Sequence, residues 1–187
     1  KLDWSWEQAE VPGAKGVPCW VGINTSLPNK LVRLAIEVSG IPVCVSAVEP
    51  ELFPSAVAAG ASMIEIGNFD SFYPEGRFFT ADEVLQLTVV TRKLLPDVAL
   101  SVTVPHILPL AHQAQLALDL VHAGADIIQT EGGTSSRAVS AGTLGMIEKA
   151  APTLAAASII AANFLSYKDK KVPLLCASGL SAITVPM

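Results

Sequence analysis

Two segments of the sequence decide the fold: Val57-Ala-Ala-Gly-Ala-Ser-Met-Ile-Glu-Ile-Gly-Asn68 and Val121-His-Ala-Gly-Ala-Asp-Ile-Ile-Gln-Thr-Glu-Gly132. Each contains the end of an alanine-rich helix, an Ala-Gly-Ala turn and a short apolar strand that ends on polar residues. This order is typical of the joint between a helix and the next strand in a parallel α/β protein. Its repetition predicts a repeated βα architecture.

Strand-like and helix-like segments alternate along the rest of the chain and form five βα-like units. Thr80-Ala-Asp-Glu83 is a capping-box pattern that begins one of the helices. Strict alternation with right-handed crossovers predicts a parallel sheet. The predicted strands are residues 40–48, 62–67, 99–104, 126–131 and 172–177. The predicted helices are residues 31–38, 49–59, 80–95, 110–123 and 151–165, and a further helix is expected to begin at residues 179–181.

The side chains of these strands divide by parity into one aliphatic and one polar set. In residues 99–104, Ser101 and Thr103 alternate with aliphatic residues, and Glu65 and Gln129 occupy the corresponding parity in the two repeated segments. A doubly wound Rossmann-type sheet buries both faces and favours continuous aliphatic strands. A barrel buries the aliphatic side under helices and lines its lumen with the other side. We therefore predict a TIM-barrel-like α/β fold.

The length limits how much of a barrel the chain can form. An intact barrel needs about 250 residues, and this chain has 187. We predict an incomplete barrel, with about five clear βα units and without the last strand. Residues 1–29 show no clean βα unit, apart from a possible strand at Cys19–Ile23, and are assigned to a divergent N-terminal segment. Residues 30–187 are assigned to the partial barrel.

Composition excludes several classes of partner. Hydrophobic residues make up 51% and charged residues 16%, which indicates a globular domain rather than a disordered chain. The formal charge of −5 and the lack of a basic run exclude nucleic acid and an anionic membrane as expected partners. The longest weakly polar run, residues 153–165, is too short to span a bilayer and predicts a buried helix. Oligomerisation is compatible with the sequence.

No cofactor or metal is predicted. The three cysteines are widely spaced, which fits neither a zinc site nor a disulfide framework. A dinucleotide-binding glycine fingerprint is absent from the sequence. Cys44 and Cys176 are expected in the lumen as small packing residues. The chain begins at Lys1 without a signal-peptide pattern, which predicts a processed chain or a fragment.

Six motifs from about residue 30 onward are specific enough to indicate a family. They are Ile41-Pro-Val-Cys-Val-Ser-Ala-Val-Glu-Pro-Glu-Leu-Phe53, Glu65-Ile-Gly-Asn-Phe-Asp-Ser-Phe-Tyr73, Leu100-Ser-Val-Thr-Val-Pro-His106, Gly124-Ala-Asp-Ile-Ile-Gln-Thr-Glu-Gly132, Pro152-Thr-Leu-Ala-Ala-Ala157 and Cys176-Ala-Ser-Gly-Leu-Ser-Ala182. On these motifs the sequence resembles the conserved hypothetical chloroplast frame family number twenty-three. That resemblance implies a TIM-barrel-like fold and a location in the chloroplast stroma or the cyanobacterial cytoplasm, and it implies no established reaction.

Three residues are candidates for catalysis because they fall where a barrel carries its chemistry, at the ends of strands. Glu65 and Glu131 are predicted on the lumen side, and a carboxyl group there must be paired, protonated or bound to a ligand. His106 directly follows a strand and could transfer protons near neutral pH. The alternatives are a structural hydrogen bond between Glu65 and Ser101, Thr103 or Gln129, and a turn-forming role for His106.

The candidate binding residues follow the same strands. Gly67 aligns with Glu131 in the repeat, and its missing side chain predicts space for a ligand there. Glycine-rich and serine-rich turns at strand ends could hold a phosphate, although flexible loops have the same composition. The candidates for binding substrate or phosphate are Asn68, Gln129, Gly132, Gly133, Ser178, Gly179 and Ser181.

These residues support three hypotheses. The first is a lyase-like or isomerase-like enzyme that acts on a small phosphorylated metabolite by carboxylate acid/base chemistry. The second is a non-catalytic barrel that binds a metabolite or serves a regulatory role. The third is an inactive, truncated homologue. No lysine lies at a predicted strand end, which argues against a Schiff-base aldolase.

Overall fold

A computed structural model shows five helices that alternate with the strands of a parallel sheet. It describes residues 10–11, 14–15, 21–24, 29–132, 138–167 and 171–186. The helices are α1 (Asn29–Ser39), α2 (Phe53–Ala58), α3 (Ala81–Leu94), α4 (Leu110–His122) and α5 (Gly142–Ser166). The strands are β1 (Glu10–Val11), β2 (Ala14–Lys15), β3 (Val21–Asn24), β4 (Val43–Ala47), β5 (Met63–Ile66), β6 (Ala99–Val104), β7 (Ile127–Thr130) and β8 (Leu174–Leu175).

The main sheet contains six parallel strands in the order β3-β4-β5-β6-β7-β8, and β1 and β2 form a separate antiparallel pair. Strand order therefore follows chain order without a reversal. Right-handed crossovers then carry every connecting helix to the same face of the sheet. A doubly wound sheet reverses its strand order and has helices on both faces. The topology confirms a TIM-barrel-like fold.

The two faces of the strands have the predicted difference. Ile64, Val102 and Ile128 point towards the helices and belong to the largest hydrophobic cluster, which also includes residues of α3, α4 and α5. Thr103 and Gln129 have the opposite parity, and both contact Glu65 across the other face. That face corresponds to the lumen of a barrel.

The repeated Ala-Gly-Ala turn is a Schellman motif in both copies. After α2, the N–H of Ala61 donates to the carbonyl of Ala56 at 3.0 Å, and Gly60 has a φ of 112°. After α4, the N–H of Ala125 donates to the carbonyl of Leu120 at 2.9 Å, and Gly124 has a φ of 105°. Glycine adopts this backbone region without the steric cost that a Cβ brings.

The first strand of the main sheet lies before residue 30. Strand β3 pairs in parallel with β4 from Val21↔Val43 to Asn24↔Ser46. It overlaps the possible strand that the sequence suggested at Cys19–Ile23. After β8, a single turn replaces the helix that was expected to begin at residues 179–181. Residues 182–186 form a single turn, in which the N–H of Val185 donates to the carbonyl of Ser181 at 2.9 Å.

Helix α5 is longer than predicted. It has 25 residues, begins at Gly142 and contains Pro152, whereas the sequence predicted a start near residue 151. Its length and composition would allow it to cross a membrane. The prediction from residues 153–165 alone, a run too short to span a bilayer, is wrong because the helix is longer. Only 28% of its apolar stretch is buried. Ala150, Ala156 and Ile160 face the fold, whereas Leu144 and Leu165 are exposed. The predicted buried helix is therefore buried on one side only.

One arginine connects three segments at the end of the sheet where β6 and β7 begin. The Arg92 guanidinium donates to the carbonyls of Leu95, Pro96 and Val98 at 2.8 to 3.0 Å. It also donates to the Gly124 carbonyl at 2.7 and 2.9 Å and to Asp126 Oδ2 at 2.6 Å. These contacts hold the end of α3 against the turn that follows α4.

We expect Arg92→Lys to destabilise the protein by about 2–4 kcal/mol, because a single ammonium cannot satisfy all these acceptors and charged hydrogen bonds contribute about 1.5–3 kcal/mol each. Urea unfolding measures the change in the free energy of unfolding. Lys93→Arg, at the exposed neighbouring position, is the control and should change it by less than about 0.5 kcal/mol. A loss below that limit for Arg92→Lys would contradict the structural role of the guanidinium.

Candidate active site at the rim of the barrel

The candidate site lies where the strands end at their carboxyl termini. Glu131 follows β7, His106 follows β6, and residues 68–79 form the loop after β5. Because neighbouring parallel strands end at the same rim, side chains distant in sequence meet there. Two of the three predicted catalytic residues, Glu131 and His106, are in direct contact.

Glu131 is 4% exposed and accepts four hydrogen bonds. Its Oε1 accepts from the Asp70 N–H at 2.9 Å. Its Oε2 accepts from the Tyr73 hydroxyl at 2.7 Å, the His106 N–H at 3.0 Å and His106 Nδ1 at 2.7 Å. A buried carboxylate requires such donors, because its transfer from water is otherwise costly. Glu131 thereby connects the loops that follow β5 and β6 to the end of β7.

The contact with Glu131 indicates which ring nitrogen of His106 carries the proton. Nδ1 faces an oxygen that already accepts from two other groups, so Nδ1 is the donor. In the neutral imidazole, Nε2 then carries the lone pair. Carboxylate–histidine pairs of this kind fix the tautomer and the ring orientation of catalytic histidines.

Tyr73 completes the arrangement around Glu131. Its ring centroid lies 5.5 Å from that of His106 and 5.5 Å from that of Phe78. Burial raises the pKa of the Tyr73 hydroxyl above its ordinary range, and the charge of Glu131 and the hydrogen bond to it raise it further. Tyr73 therefore acts as a hydrogen-bond donor to Glu131.

Glu65 lies in a layer deeper in the lumen. Its Oε1 accepts from Thr103 Oγ1 at 2.8 Å and from Gln129 Nε2 at 2.7 Å. These are two of the structural partners that the sequence suggested as the alternative to catalysis. Burial raises the pKa of the Glu65 carboxyl, and hydrogen bonds from Thr103, Ser46 and Gln129 oppose that effect only in part. The pairing of Glu65 with Gln129 across the lumen agrees with the repeat.

The predicted space beside Glu131 at Gly67 is wrong. A Cβ on Gly67 would come within 2.5 Å of Glu65 Oε1 and 2.6 Å of Thr103 Oγ1. The missing side chain therefore makes room for the carboxyl group of Glu65 and its partner. The physical reason is that Glu65 extends along its own strand towards the rim and lies over Gly67, two residues further on.

The end of β8 has an unusual backbone. Ser178 and Gly179 have φ values of 73° and 70°. Thr153 Oγ1 lies 2.8 Å from the carbonyl oxygen of Ala177 and 2.7 Å from that of Ser178. In a trans peptide the N–H points opposite to the carbonyl, so the N–H groups of Ser178 and Gly179 both point away from Thr153. Successive N–H groups with one orientation form a concavity that suits an anion.

The other predicted binding residues have different surroundings. Gly132 packs against the side chain of Thr153 and against Ser178, so it lies beside the β8 turn. The Ser181 N–H donates to Thr184 Oγ1 at 2.9 Å, within its own turn. Gly133 lies outside the described residues.

Asn68 and Gln129 do not join the rim cluster through their side chains. Asn68 has a φ of 63°, and its amide contacts Ser71 Oγ at 3.4 Å within a local turn. The Gln129 amide is bound to Glu65.

Of the two cysteines expected in the lumen, Cys44 is buried and Cys176 is exposed. Leu175 packs with the lumen-side cluster, so Cys176 has the opposite parity on its strand.

Two supporting residues carried no clear sequence signal. Gln113 is 3% exposed and donates to the carbonyls of His106 and Leu108 at 3.2 and 2.7 Å, which holds the loop after β6. Thr153 lies inside α5, where a threonine is ordinarily a packing residue. Both act through backbone carbonyls of other segments, and no sequence spacing reveals such contacts.

A separate groove of about 760 Å³ lies outside the lumen, between residues 48–51, residues 72–79 and α3. It contains none of the predicted site residues. Its lining includes Glu49, Glu51, Glu75 and Asp82. In the described part of the chain, no group of three or more His, Cys, Asp or Glu residues is arranged to hold a metal ion.

Parallel strands in chain order, with polar residues at the lumen and the rim, define a TIM-barrel-type α/β protein. The chain belongs to the family DUF561, described as proteins of unknown function, whose model matches residues 15–187. The uncharacterized protein ycf23 of Cyanophora paradoxa is 44% identical over 160 residues, which cover 86% of this chain and 63% of that protein. Its counterpart from Pyropia yezoensis is 36% identical over 181 residues, with 97% and 62% covered.

This chain therefore spans about three fifths of the length of these algal relatives. Among solved structures, a putative deoxyribose-phosphate aldolase from Toxoplasma gondii matches with a TM-score of 0.54 and 16% identity. The match covers 83% of this chain and 73% of that one. At this identity the likeness shows the fold alone.

We expect Glu65→Gln to make the protein more stable than wild type at neutral pH, with little difference below pH 4.5. The folded-state pKa of Glu65 lies above its ordinary value of 4.5, so the folded protein holds this proton more tightly. Wild-type stability therefore falls as pH rises through 4.5 towards the raised pKa. Glutamine keeps an acceptor for Thr103 and Gln129 and has no proton to lose.

Chemical unfolding of both proteins between pH 4 and pH 8 measures this difference. Glu83→Gln is a control of opposite sign, because hydrogen bonds from Thr80 and Arg77 lower the pKa of Glu83. That carboxylate stabilises the fold above its unfolded pKa, and the stabilisation is lost as pH falls through the folded pKa. Parallel stability curves for Glu65→Gln and wild type would contradict the assignment for Glu65.

Proposed function

We propose that this protein is an acid/base enzyme of the lyase or isomerase type that acts on a small phosphorylated metabolite. The observation that carries the proposal is the hydrogen bond of 2.7 Å between His106 Nδ1 and a buried carboxylate at the rim of the barrel. In this proposal His106 transfers the proton through Nε2. Glu131 positions the ring, because its oxygens already accept four hydrogen bonds.

The anionic group of the substrate is assigned to the end of β8. The N–H groups of Ser178 and Gly179 share one orientation there, and Gly132 lies beside them. In barrels, the loops after the last strands frequently hold phosphate. Ser181 supports the turn through Thr184 in this scheme, and Asn68 and Gln129 contact the substrate less directly than the sequence suggested.

The fold likeness to aldolases does not extend to a Schiff-base mechanism in this proposal. That chemistry requires a lysine whose amine faces the substrate. None of the six strands of the described sheet contains a lysine. Proton abstraction next to a carbonyl, assisted by a histidine, matches the residues at the rim better. The algal relatives support a location in the chloroplast stroma or, in cyanobacteria, in the cytoplasm.

A proton-exchange assay tests this function. The protein is incubated in D₂O with a panel of small phosphorylated aldoses and ketoses, and NMR follows the loss of C–H signals. We expect exchange with at least one compound and a fall of about 10²–10⁴-fold in His106→Gln, the usual contribution of general acid/base catalysis. His112→Gln, on the exposed side of α4, is the matched control and should exchange at the wild-type rate.

Binding without exchange would favour the second candidate, a non-catalytic metabolite-binding barrel. The observation that favours it is that every oxygen of Glu131 already has a protein donor. Exchange at the wild-type rate in His106→Gln would contradict the assignment of the base.

A further inference from the structure

The lumen layer below the rim is built from neutral hydrogen-bonding side chains around one carboxyl group. Ser46, Thr103 and Gln129 are the partners of Glu65, and they come from three different strands. No ion pair to Glu65 is found in the described ranges. The layer therefore lacks the cation that would be needed to bind an anionic group at this depth.

Ser101 is the member of this layer whose hydrogen-bonding capacity is unused. It faces the lumen on β6 and pairs in register with Glu65. It is 1% exposed, and its hydroxyl has no hydrogen-bond partner among the residues that the structure describes. A buried polar group without a partner costs about 1–3 kcal/mol. A ligand atom that hydrogen-bonds to Ser101 would recover that free energy.

The floor of the lumen limits what this atom can be. Cys44, Met63 and Ile127 form an apolar cluster below the polar layer. Burial raises the pKa of the Cys44 thiol, so the thiol is neutral. A charged ligand group would lose its hydration there without gaining a counter-charge. A neutral oxygen, by contrast, could use both Ser101 and the carboxyl group of Glu65.

We propose that the Glu65–Ser101 layer binds an uncharged carbonyl or hydroxyl oxygen of the ligand, while the anionic group of the same ligand stays at the rim. This proposal rests on the proposed function and names its substrate class, a small keto or polyhydroxy compound with one anionic end. Glu65 in its protonated form donates to the neutral oxygen, and Ser101 donates or accepts.

Ser101→Ala is the variant that isolates this role. Because the Ser101 hydroxyl has no protein partner, its removal should not lower the stability of the ligand-free protein. Thr91→Val is the matched control, since Thr91 Oγ1 is also buried without a partner but lies on α3, away from the lumen. Both variants lose one unused hydroxyl, and only Ser101→Ala changes the lumen.

Calorimetric titration with dihydroxyacetone, an uncharged ketose, tests the proposal, and inorganic phosphate probes the rim separately. We expect wild type and Thr91→Val to bind dihydroxyacetone with equal affinity and Ser101→Ala to bind it at least about tenfold more weakly, while phosphate affinity is the same in all three. Absence of dihydroxyacetone binding in wild type, or equal affinity in Ser101→Ala, would overturn the proposal.

The two proposals can fail separately. If dihydroxyacetone binds through Ser101 but no phosphorylated compound exchanges protons, the lumen site stands and the enzymatic function falls. If exchange depends on His106 but Ser101→Ala affects neither exchange nor dihydroxyacetone affinity, the function stands and the lumen site falls.

Discussion

The rim of this barrel depends on the burial of one carboxylate. Glu131 is almost fully removed from solvent, and the free-energy cost of that burial is offset only if donors surround both of its oxygens. The donors come from Asp70 and Tyr73 in one loop and from His106 in another. The shape of both loops and the orientation of the histidine ring therefore follow from a single electrostatic requirement.

Glu131 and Glu65 have different roles because different groups surround their carboxyl groups. Two backbone N–H groups, a phenol and an imidazole donate to Glu131, so its carboxylate form is fully used in binding them. The partners of Glu65 are neutral side chains, and burial is the dominant effect on its pKa, which it raises. The first glutamate fixes geometry, and the second can hold a proton below the rim.

Much of the fold could be predicted from the sequence because its signals are local. The Ala-Gly-Ala repeat encodes two Schellman motifs, the strand parity encodes the lumen face, and Thr80 with Glu83 forms the predicted capping box. The position of Glu131 beside His106 follows from the rule that parallel strands end at one rim.

The remaining features depend on contacts between distant segments. The Thr153 hydroxyl organises the β8 turn from inside a helix, and Gly67 accommodates Glu65 instead of a ligand. The donors to Glu131 lie in irregular loops, whose course no periodicity specifies. Helix α5 begins nine residues before the predicted start at residue 151 because the helix continues through Pro152, and proline ordinarily marks a helix start.

The most direct test of the central claim is amide hydrogen exchange in wild type and Glu131→Ala. If one carboxylate holds both loops, the N–H groups of Asp70 and His106 should both exchange about ten to a hundred times faster in the variant, while Val102 in β6 is unchanged. Glu148→Ala, which removes a carboxylate bound to the N–H groups of Val139 and Ser140, should leave Asp70 and His106 as in wild type. Unchanged exchange at either Asp70 or His106 in Glu131→Ala would contradict the account.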